Sequence, residues 1–343
     1  MAAMVCTVMV SIFTQATEAC TRVLWNNNDL AVVVGRSMDW PESTQPMLAV
    51  FPRGLSHDGG LVGNTTVDAE HPARWTSQYG SLVTTIYGVG TADGVNEKGL
   101  AIHMLYLTAT DFGPRDPAKA GVQAGLWGQI LLDQAATVAE ALELMKQIQP
   151  LNVEVAGHQA NVHLAIEDAT GDSAIIEYID GKPVVHHGPD VRILTNDPVY
   201  EEQLANLARY DFSNATRQTP LPGNVDPRDR FVRAAYYLQM LPEPKTERQA
   251  VADVLAIARN VSVPFGAPNN LPGSLYNTEY RTVIDLTHPC YYFELSTAPN
   301  LIWVPLAQLD FTDGAPVKML DPDDIQLSGD VSRRFKTVEK APF

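Results

Sequence analysis

From Cys20 onward, the alternation of apolar and polar residues predicts strands at both ends of the chain and in its middle. Residues 20–25 and 30–36 are β-favouring runs, and the polar residues 26–29 between them are typical of a turn, so the two runs predict a hairpin. Further strands are predicted at 47–52, 82–88, 99–107, 160–167, 173–179, 191–195, 279–286, 290–297 and 301–305.

The segments between these runs carry the residues that turns and loops favour. The polar residues 93–98 predict a turn between strands 82–88 and 99–107. Asp180-Gly181 predicts a tight hairpin turn. Residues 54–80 are rich in glycine, histidine and polar side chains, and they predict a long loop.

Helical spacing of apolar residues is found in two blocks that separate the strands. Thr137 with Glu140 forms a capping-box pattern, and Pro150 is expected to end the helix that follows. The other helices are predicted at 125–134, 199–210 and 228–241, with a last one beginning after Thr246. Hairpins outnumber alternating β-α-β units, so the chain predicts an α+β fold with antiparallel sheets and helical layers outside.

Composition and charge exclude several functional classes. The 343 residues include 24 Lys and Arg against 40 Asp and Glu, which gives a net charge of -16. Such an acidic surface repels phosphate backbones and anionic lipids, so nucleic acid is not an expected partner. No apolar run reaches the roughly 18 residues of a membrane-spanning helix. The pair His186-His187 predicts an exposed loop rather than a metal site, and the C-terminal aspartates predict a solvated tail.

The first residues have the character of an export signal. Residues 3–13 are apolar, and small residues follow as far as Ala19, so we predict cleavage after Ala19 and a mature single domain over 20–343. A periplasmic or secreted location follows. No Lys or Arg precedes the apolar block, and a buried N-terminal strand or a lipoprotein signal are the alternatives.

Cleavage at that point would place an α-amine and a thiol on one residue, Cys20. An ordinary thiol has a pKa near ~8.5 and an α-amine one near ~7.7–8.0, so the neutral amine can accept the thiol proton. The predicted hairpin returns Arg36 and Asp39 to Cys20, where Arg36 would lower the pKa of the thiol and Asp39 would orient the amine. The alternatives are a structural cysteine and a surface Arg–Asp pair.

Five separated blocks together resemble the choloylglycine hydrolase family, which contains penicillin V acylases and conjugated bile acid hydrolases. They run in the family's order and approximate spacing, and they are Cys20-Thr21-Arg22, 35–40 (GRSMDW), 93–100 (DGVNEKGL), 194–198 (LTNDP) and Asp229-Arg230-Phe231. The resemblance implies an N-terminal nucleophile hydrolase with a four-layer αββα sandwich. It also implies a homo-oligomer, a tetramer by likeness to the family, and no cofactor.

The resemblance assigns roles position by position. Cys20 matches the nucleophile, Arg36 and Asp39 match the Arg and Asp that follow it, Asn196 matches an oxyanion-binding Asn, and Arg230 matches an Arg near the nucleophile sulfur. Tyr106 falls where bile acid hydrolases usually have Asn. Its backbone N–H can still serve as the second oxyanion donor, and its ring is closer to the penicillin V acylase pattern.

The expected function is therefore hydrolysis of a linear non-peptide amide with an apolar acyl group, as in penicillin V acylases. Acyl-homoserine lactone acylase and conjugated bile acid hydrolase are alternatives within the enzyme class. A non-catalytic periplasmic binding protein on the same scaffold is the alternative from another class. Loops 40–80 and 260–275 are expected to build the substrate pocket.

Overall fold

The protein is described from a computed structural model that covers residues 20–268, 275–298 and 300–343. The predicted export signal, residues 1–19, lies outside the described residues. So does part of the predicted pocket loop 260–275. Within the described part of the chain, no helix is long and apolar enough to cross a membrane.

The described residues alternate between blocks of strands and blocks of helices, in the order that the sequence predicts. The strands are β1 Thr21–Trp25, β2 Val33–Trp40, β3 Leu48–Phe51, β4 Ser56–Asp58, β5 Leu61–Val62, β6 Thr65–Thr66, β7 Arg74–Thr76, β8 Ser81–Ile86, β9 Gly90–Asn96, β10 Ala101–Tyr106, β11 Ala120–Gln123, β12 Ile148–Leu151, β13 Glu154–Val155, β14 His158–Gln159, β15 Val162–Glu167, β16 Ser173–Ile179, β17 Lys182–His187, β18 Ile193–Leu194, β19 Ala267–Pro268, β20 Leu275–Asp285, β21 Cys290–Leu295, β22 Ile302–Pro305, β23 Lys318–Leu320, β24 Gly329–Asp330 and β25 Lys336–Thr337. The α-helices are α1 Trp127–Gln134, α2 Val138–Met145, α3 Tyr200–Leu207, α4 Pro227–Met240 and α5 Glu247–Asn260.

Two large sheets form the centre of the molecule. The first runs β18-β1-β2-β20-β21-β22-β24, and the second runs β17-β16-β15-β10-β9-β8-β3-β23-β25. The predicted hairpin of β1 and β2 is confirmed, with Arg22 directly opposite Arg36. The predicted turn at Asp180-Gly181 is also confirmed, because both residues have positive φ and join β16 to β17.

The sheets face each other, and helices cover their outer faces. Thr282 on β20 donates to Asp93 on β9 across 2.7 Å, which ties one sheet to the other. Helices α4 and α5 pack on the first sheet, with α3 against α4, and α1 packs on the second sheet with α2 beside it. The α+β, four-layer αββα architecture is therefore confirmed.

Strand alternation divides the apolar side chains between two cores. On β10, Ala101 and Leu105 belong to the core between the sheets, whereas Ile102 and Met104 belong to the core beneath α1 and α2. This is the period of two that a strand buried on both faces requires. His103 shares the inner face with Ala101 and Leu105, so a polar side chain enters the space between the sheets.

Four local predictions were wrong. Residues 93–96 belong to strand β9, and the turn follows them. The pair His186-His187 lies on the edge strand β17 rather than in a loop. The segment 54–80 contains the short strands β4 to β7. Helix α2 ends at Met145, so Pro150 does not end it and lies instead in β12, paired in parallel with β11.

Candidate active site

Cys20 lies immediately before β1, where the hairpin partner β2 passes beside it. Its sulfur is 3.7 Å from Met38 Sδ and 3.9 Å from the backbone oxygen of Asp39. The register between β2 and β20 shifts between Met38 and Asp39, which marks a bulge at this point. Bulges bend a strand and re-aim its side chains, and here the irregularity coincides with the residues around the thiol.

The Arg36 guanidinium reaches the Cys20 sulfur from β2. Arg36 Nη2 lies 3.4 Å from Cys20 Sγ and 3.0 Å from Met38 Sδ. Its other terminal nitrogen, Nη1, donates to the backbone oxygen of Ala92 at 2.9 Å. The guanidinium is fully buried, so its charge acts on the sulfur with little screening by water.

The backbone atoms of Cys20 are held by two other side chains. Its nitrogen donates to Asn196 Oδ1, and its carbonyl oxygen accepts from Arg230 Nη1 at 2.7 Å. Asn196 follows β18, which pairs with β1, and its Nδ2 donates to the Tyr106 carbonyl at 2.7 Å. The Asn196 amide therefore bridges the Cys20 nitrogen and the end of β10.

Arg230 and Asp39 face each other on the helical side of the site. Arg230 lies in the first turns of α4, and its Nη1 is 3.7 Å from Asp39 Oδ2. Ser37 donates to Asp39 Oδ2 at 3.1 Å, and Thr278 donates to Oδ1. A buried cation is thus matched by a buried carboxylate that has its own hydrogen-bond donors, as buried charges require.

Burial sets the proton affinity of the thiol and the carboxyl group. It raises the pKa of Cys20, and the neighbouring Arg36 charge only partly opposes this effect. Burial also raises the pKa of Asp39 to about 6, against the opposing effect of Arg230 and the Thr278 and Ser37 hydroxyls. The Cys20 thiol is therefore protonated at rest and needs a base to become a nucleophile.

An apolar cleft opens beside the Cys20 sulfur. Its volume is about 670 Å³, including the part that opens to solvent, and its walls carry aromatic rings. The Trp40 ring meets the Tyr106 ring edge-on at 5.9 Å and the His158 ring at 5.1 Å. A cleft of this size and polarity suits an apolar group of a small molecule.

The walls of this cleft come from other segments than the sequence predicts. Among the described residues, only Trp40 lines the cleft from the expected loop 40–80, and none does from 260–268. The other residues of the walls lie on or beside β2, the β8–β9 connection, β10, β11 and the β13–β14 hairpin. Short segments such as 153–160 carry no sequence signal for a pocket, because only the folded sheet brings them over Cys20.

The structure brings all six sequence-predicted site residues together, with two differences in detail. Arg36, not Arg230, is the guanidinium at the sulfur, because Arg230 bonds to the Cys20 carbonyl. The Asp39 carboxylate faces Arg230 and accepts from Ser37 and Thr278, while its backbone oxygen faces the thiol. The sequence reasoning did not single out Met38 or Thr278. Met38 follows Arg36 by two on a strand and so shares its face, a signal that was present.

No group of three or more His, Cys, Asp or Glu side chains that would suit a metal ion occurs among the described residues.

Comparisons with known proteins agree with this geometry. A family model described as linear amide C–N hydrolases, choloylglycine hydrolase family, matches residues 20–322. The chain is 34% identical over 355 aligned residues to a penicillin V acylase of Pectobacterium atrosepticum, covering 95% of this chain and 92% of the relative. It is 22% identical over 305 residues to a bile salt hydrolase/transferase of Clostridium perfringens, covering 80% of this chain and 88% of the relative.

Solved structures show the same architecture. A penicillin V acylase from Agrobacterium tumefaciens matches with a TM-score of 0.82 and 36% identity, over 94% of this chain and 98% of that one. A mutant conjugated bile acid hydrolase from Clostridium perfringens matches with a TM-score of 0.76 at 20% identity, over 90% and 98% of the two chains, a likeness of fold.

Proposed function

This chain belongs to the choloylglycine hydrolase family of linear amide C–N hydrolases, and from that premise we propose that it cleaves its substrate with Cys20 as the nucleophile, in a penicillin V acylase-like reaction. One observation carries the proposal. The sulfur, the nitrogen and the carbonyl oxygen of Cys20 are each held by a different side chain, at the wall of an apolar cleft. A merely structural cysteine does not need three such contacts.

In the proposed reaction, residue 20 is the first residue of the mature enzyme. Its α-amine takes the place of the nitrogen that bonds to Asn196 Oδ1, and it accepts the thiol proton. The thiolate, beside Arg36, attacks the acyl carbon of the amide and forms a carbon–sulfur bond. Asn196 and the Tyr106 N–H stabilise the oxyanion.

Breakdown of that intermediate completes the first half-reaction. The carbon–nitrogen bond breaks, and the amine leaves with the proton that the Cys20 α-amine held. Water then attacks the thioester carbon, and its proton passes to the α-amine. The carbon–sulfur bond breaks, the departing sulfur takes the proton from the α-amine, and the carboxylic acid is released. Arg230 holds the carbonyl oxygen of residue 20 during both halves, and Asp39 faces Arg230.

The acyl group is proposed to occupy the apolar cleft. Trp40 and Tyr106 present ring edges and faces there, and such contacts favour a phenoxyacetyl or alkyl chain. The 34% identity to a penicillin V acylase, against 22% to a bile salt hydrolase/transferase, supports the same choice.

Export and processing are part of this proposal. We expect cleavage after Ala19, a periplasmic or secreted enzyme, and a homo-oligomer. The family match begins at residue 20, which supports Cys20 as the first residue of the mature chain.

The test combines mass and turnover. The chain is expressed with residues 1–19 in a Gram-negative host and purified from the periplasmic fraction. Its intact mass is measured by mass spectrometry. The protein is then incubated with penicillin V, and the released amine is quantified. We expect the intact mass of a chain whose first residue is Cys20, and we expect release of the amine. Active protein that retains residues 1–19 would refute the amine-base mechanism, and processed protein without turnover would refute the substrate.

A further inference from the structure

Two arginines lie side by side in the space between the two sheets. Arg22 on β1 and Arg36 on β2 are directly opposite each other in the hairpin register, and both are fully buried. Like charges directly opposite on neighbouring strands destabilise the pair. Their burial therefore requires opposite charges, and those come from the second sheet.

The second sheet supplies an alternating set of charged side chains. Asp93 and His103 are directly opposite on β9 and β10. His103 Nδ1 lies 3.6 Å from Asp93 Oδ2, and His103 Nε2 lies 2.7 Å from Glu167 Oε1 on β15. All three side chains are fully buried.

Contacts between the sheets join the two sets into one row. Arg36 Nε lies 3.9 Å from Asp93 Oδ2, and Arg22 Nη2 pairs with Glu167 Oε2. The order is therefore Arg36, Asp93, His103, Glu167 and Arg22, and we call this set the buried charge row. Its first member touches the Cys20 sulfur at 3.4 Å.

Asp93 is fixed by neutral donors as well as by Arg36. Thr282 donates to its Oδ2 at 2.7 Å, and the Tyr291 hydroxyl donates to its Oδ1. The Tyr291 hydroxyl is also 2.6 Å from that of Thr84. The carboxylate next to Arg36 is therefore anchored to three strands and cannot follow the guanidinium if the latter shifts.

The charges of the row do not cancel. Burial alone would lower the pKa of His103, but the Glu167 and Asp93 carboxylates outweigh burial and raise it. Burial alone would raise the pKa of both carboxyl groups, but neighbouring cations outweigh burial and lower it. At Glu167 these cations are Arg22 and His103, and at Asp93 they are His103 and Arg36. Two guanidinium groups and one imidazolium thus face two carboxylates, which leaves one positive charge.

Among the described side chains around Cys20, no unbalanced negative charge offsets this excess. The other charged groups that act on the thiol are Asp39 on β2 and Arg230 on α4, and these face each other at 3.7 Å. Tyr280 on β20 places its neutral ring 5.9 Å from the Arg36 guanidinium. A thiolate at Cys20 would lie next to this positive charge and would be stabilised by it.

We propose that His103 and Asp93 are positioning residues of this active site: they hold the Arg36 guanidinium beside the Cys20 sulfur, and the buried charge row to which they belong supplies positive charge that stabilises a Cys20 thiolate. The inference rests on the proposed role of Cys20 as nucleophile. Neither residue touches the sulfur, so each acts through Arg36. The row is complete before substrate binds, which is the preorganisation that charge stabilisation requires.

The test measures the thiol itself and needs no turnover. Processed enzyme carrying Cys290→Ser is alkylated with iodoacetamide between pH 5 and 10, and the extent of modification is read by intact mass. In His103→Gln the row loses its excess positive charge, so we expect the midpoint of the alkylation profile to rise by about one pH unit, with alkylation at pH 7 about tenfold slower. In His103→Lys the positive charge stays in the row, so the midpoint should remain close to that of the parent enzyme.

The matched control is His163→Gln, on β15 like Glu167. His163 is fully buried and pairs with a different carboxylate, Glu177, at 3.2 Å. It should retain the midpoint of the parent enzyme.

The contrast between His103→Gln and His103→Lys separates the proposal from a structural role. If the alkylation midpoint rises in both row variants, the substitutions disrupt the site in general. If it moves in neither variant, the row does not affect the thiol. Either result overturns the proposal. If His103→Gln fails to fold, Arg22→Gln takes its place, because it also removes one positive charge from the row. A midpoint equal to that of the parent enzyme would then overturn the proposal. Alkylation does not depend on the substrate, so a failed substrate assignment leaves this test intact.

Discussion

Cys20 is held through its nitrogen, its carbonyl oxygen and its sulfur, and of these three atoms only the sulfur belongs to the side chain. Asn196 holds its nitrogen and Arg230 its carbonyl oxygen, so replacement of the side chain leaves both contacts in place. We expect Cys20→Ala to lower kcat by roughly 10³-fold or more while the circular dichroism spectrum is unchanged. Cys20→Ser should be strongly impaired too, because a hydroxyl is a much poorer nucleophile at neutral pH.

Cys290 provides the control for this prediction. It lies half-buried on β21, where burial raises the pKa of its thiol to about 11, so it is an unreactive cysteine at neutral pH. Cys290→Ser should keep the parent rate in the same hydrolysis assay. Parent activity in either Cys20 variant would refute the assignment of the nucleophile.

At the scale of elements, helix α5 approaches the β1–β2 hairpin closely enough to position it. At Gly35 on β2, a Cβ atom would lie 2.7 Å from Val254 Cγ1 on α5. We expect Gly35→Ala to cost about 1–3 kcal/mol of unfolding free energy in urea, because overpacking forces the helix away from the strand. Activity should fall as well, since Arg36 is the next residue.

Val254→Ala tests whether that close approach is the cause. Combined with Gly35→Ala, it removes the clashing methyl groups, so the double variant should be more stable than the sum of the two single effects by about 1 kcal/mol. Strict additivity would show that Gly35 is required for some other reason.

A second element-scale contact joins the β4–β7 ribbon to α1 through a buried histidine and a buried carboxyl group. His57 Nε2 lies 3.5 Å from Asp133 Oδ2, which also accepts from Trp75 Nε1 at 2.7 Å. Burial lowers the pKa of His57 to about 4 and raises that of Asp133 to about 7, against the Trp75 and Gln129 hydrogen bonds. The folded pair therefore holds one proton between about pH 4 and 7.

Replacing either residue of the pair should make the free energy of unfolding depend on pH, a dependence that the intact pair cancels. In His57→Gln, folded Asp133 keeps a proton that the unfolded chain releases above its ordinary pKa of 3.8, so stability should fall as pH rises from 4 to 7. In Asp133→Asn, the unfolded chain protonates His57 below its ordinary pKa of 6.5 while the folded chain does not, so stability should fall as pH falls from 6.5 to 4.

Urea unfolding at several pH values measures both slopes. Each has an upper limit of about 1.4 kcal/mol per pH unit. The two effects offset each other in the parent protein, so the pH dependence of its unfolding free energy should lie between those of the two variants. Slopes of the same sign in the two variants would contradict the assignment of a shared proton.

At the scale of the whole molecule, charge and cleft shape together predict substrate preference. The net charge of -16 disfavours anionic substrates, and penicillin V carries a carboxylate as bile conjugates do. Charge therefore favours only the uncharged lactone, and the aromatic walls of the cleft favour penicillin V. A contact between two aromatic rings contributes about 0.5–1.5 kcal/mol of binding free energy in addition to that of burying their apolar surface. We therefore expect a higher kcat/KM for penicillin V or a long-chain acyl-homoserine lactone than for glycocholate.

Steady-state kinetics on the three substrates at one pH checks this ranking. Tyr106→Asn removes the aromatic wall that Tyr106 contributes, and it should narrow the gap between penicillin V and glycocholate. A tenfold preference of the parent enzyme for glycocholate, equivalent to about 1.4 kcal/mol in the transition state, would overturn the substrate and leave the Cys20 chemistry in place.

Local sequence determined most of the strands, the helices and the neighbourhood of Cys20. Apolar runs and caps act over a few residues, so Thr246 capping α5 and the turn at Asp180-Gly181 follow from the sequence alone. The hairpin of β1 and β2 brings Arg36 to Cys20 for the same reason. Asn196, Arg230 and Tyr106 were predicted from a resemblance, because no local pattern distinguishes them from a turn residue, an exposed helix residue and a strand residue.

Tertiary structure alone decided the features that depend on partners distant in sequence. Residues 93–96 carry turn-forming side chains, but Asp93 binds Thr282 and Tyr291, Gly94 lets β8 approach closely, and Asn96 binds carbonyls near the end of α1. These contacts override the local preference for a turn and make the segment a strand. The cleft and the buried charge row have the same origin: each exists only where two sheets meet, and short-range sequence patterns carry no information about which residues face each other across that space.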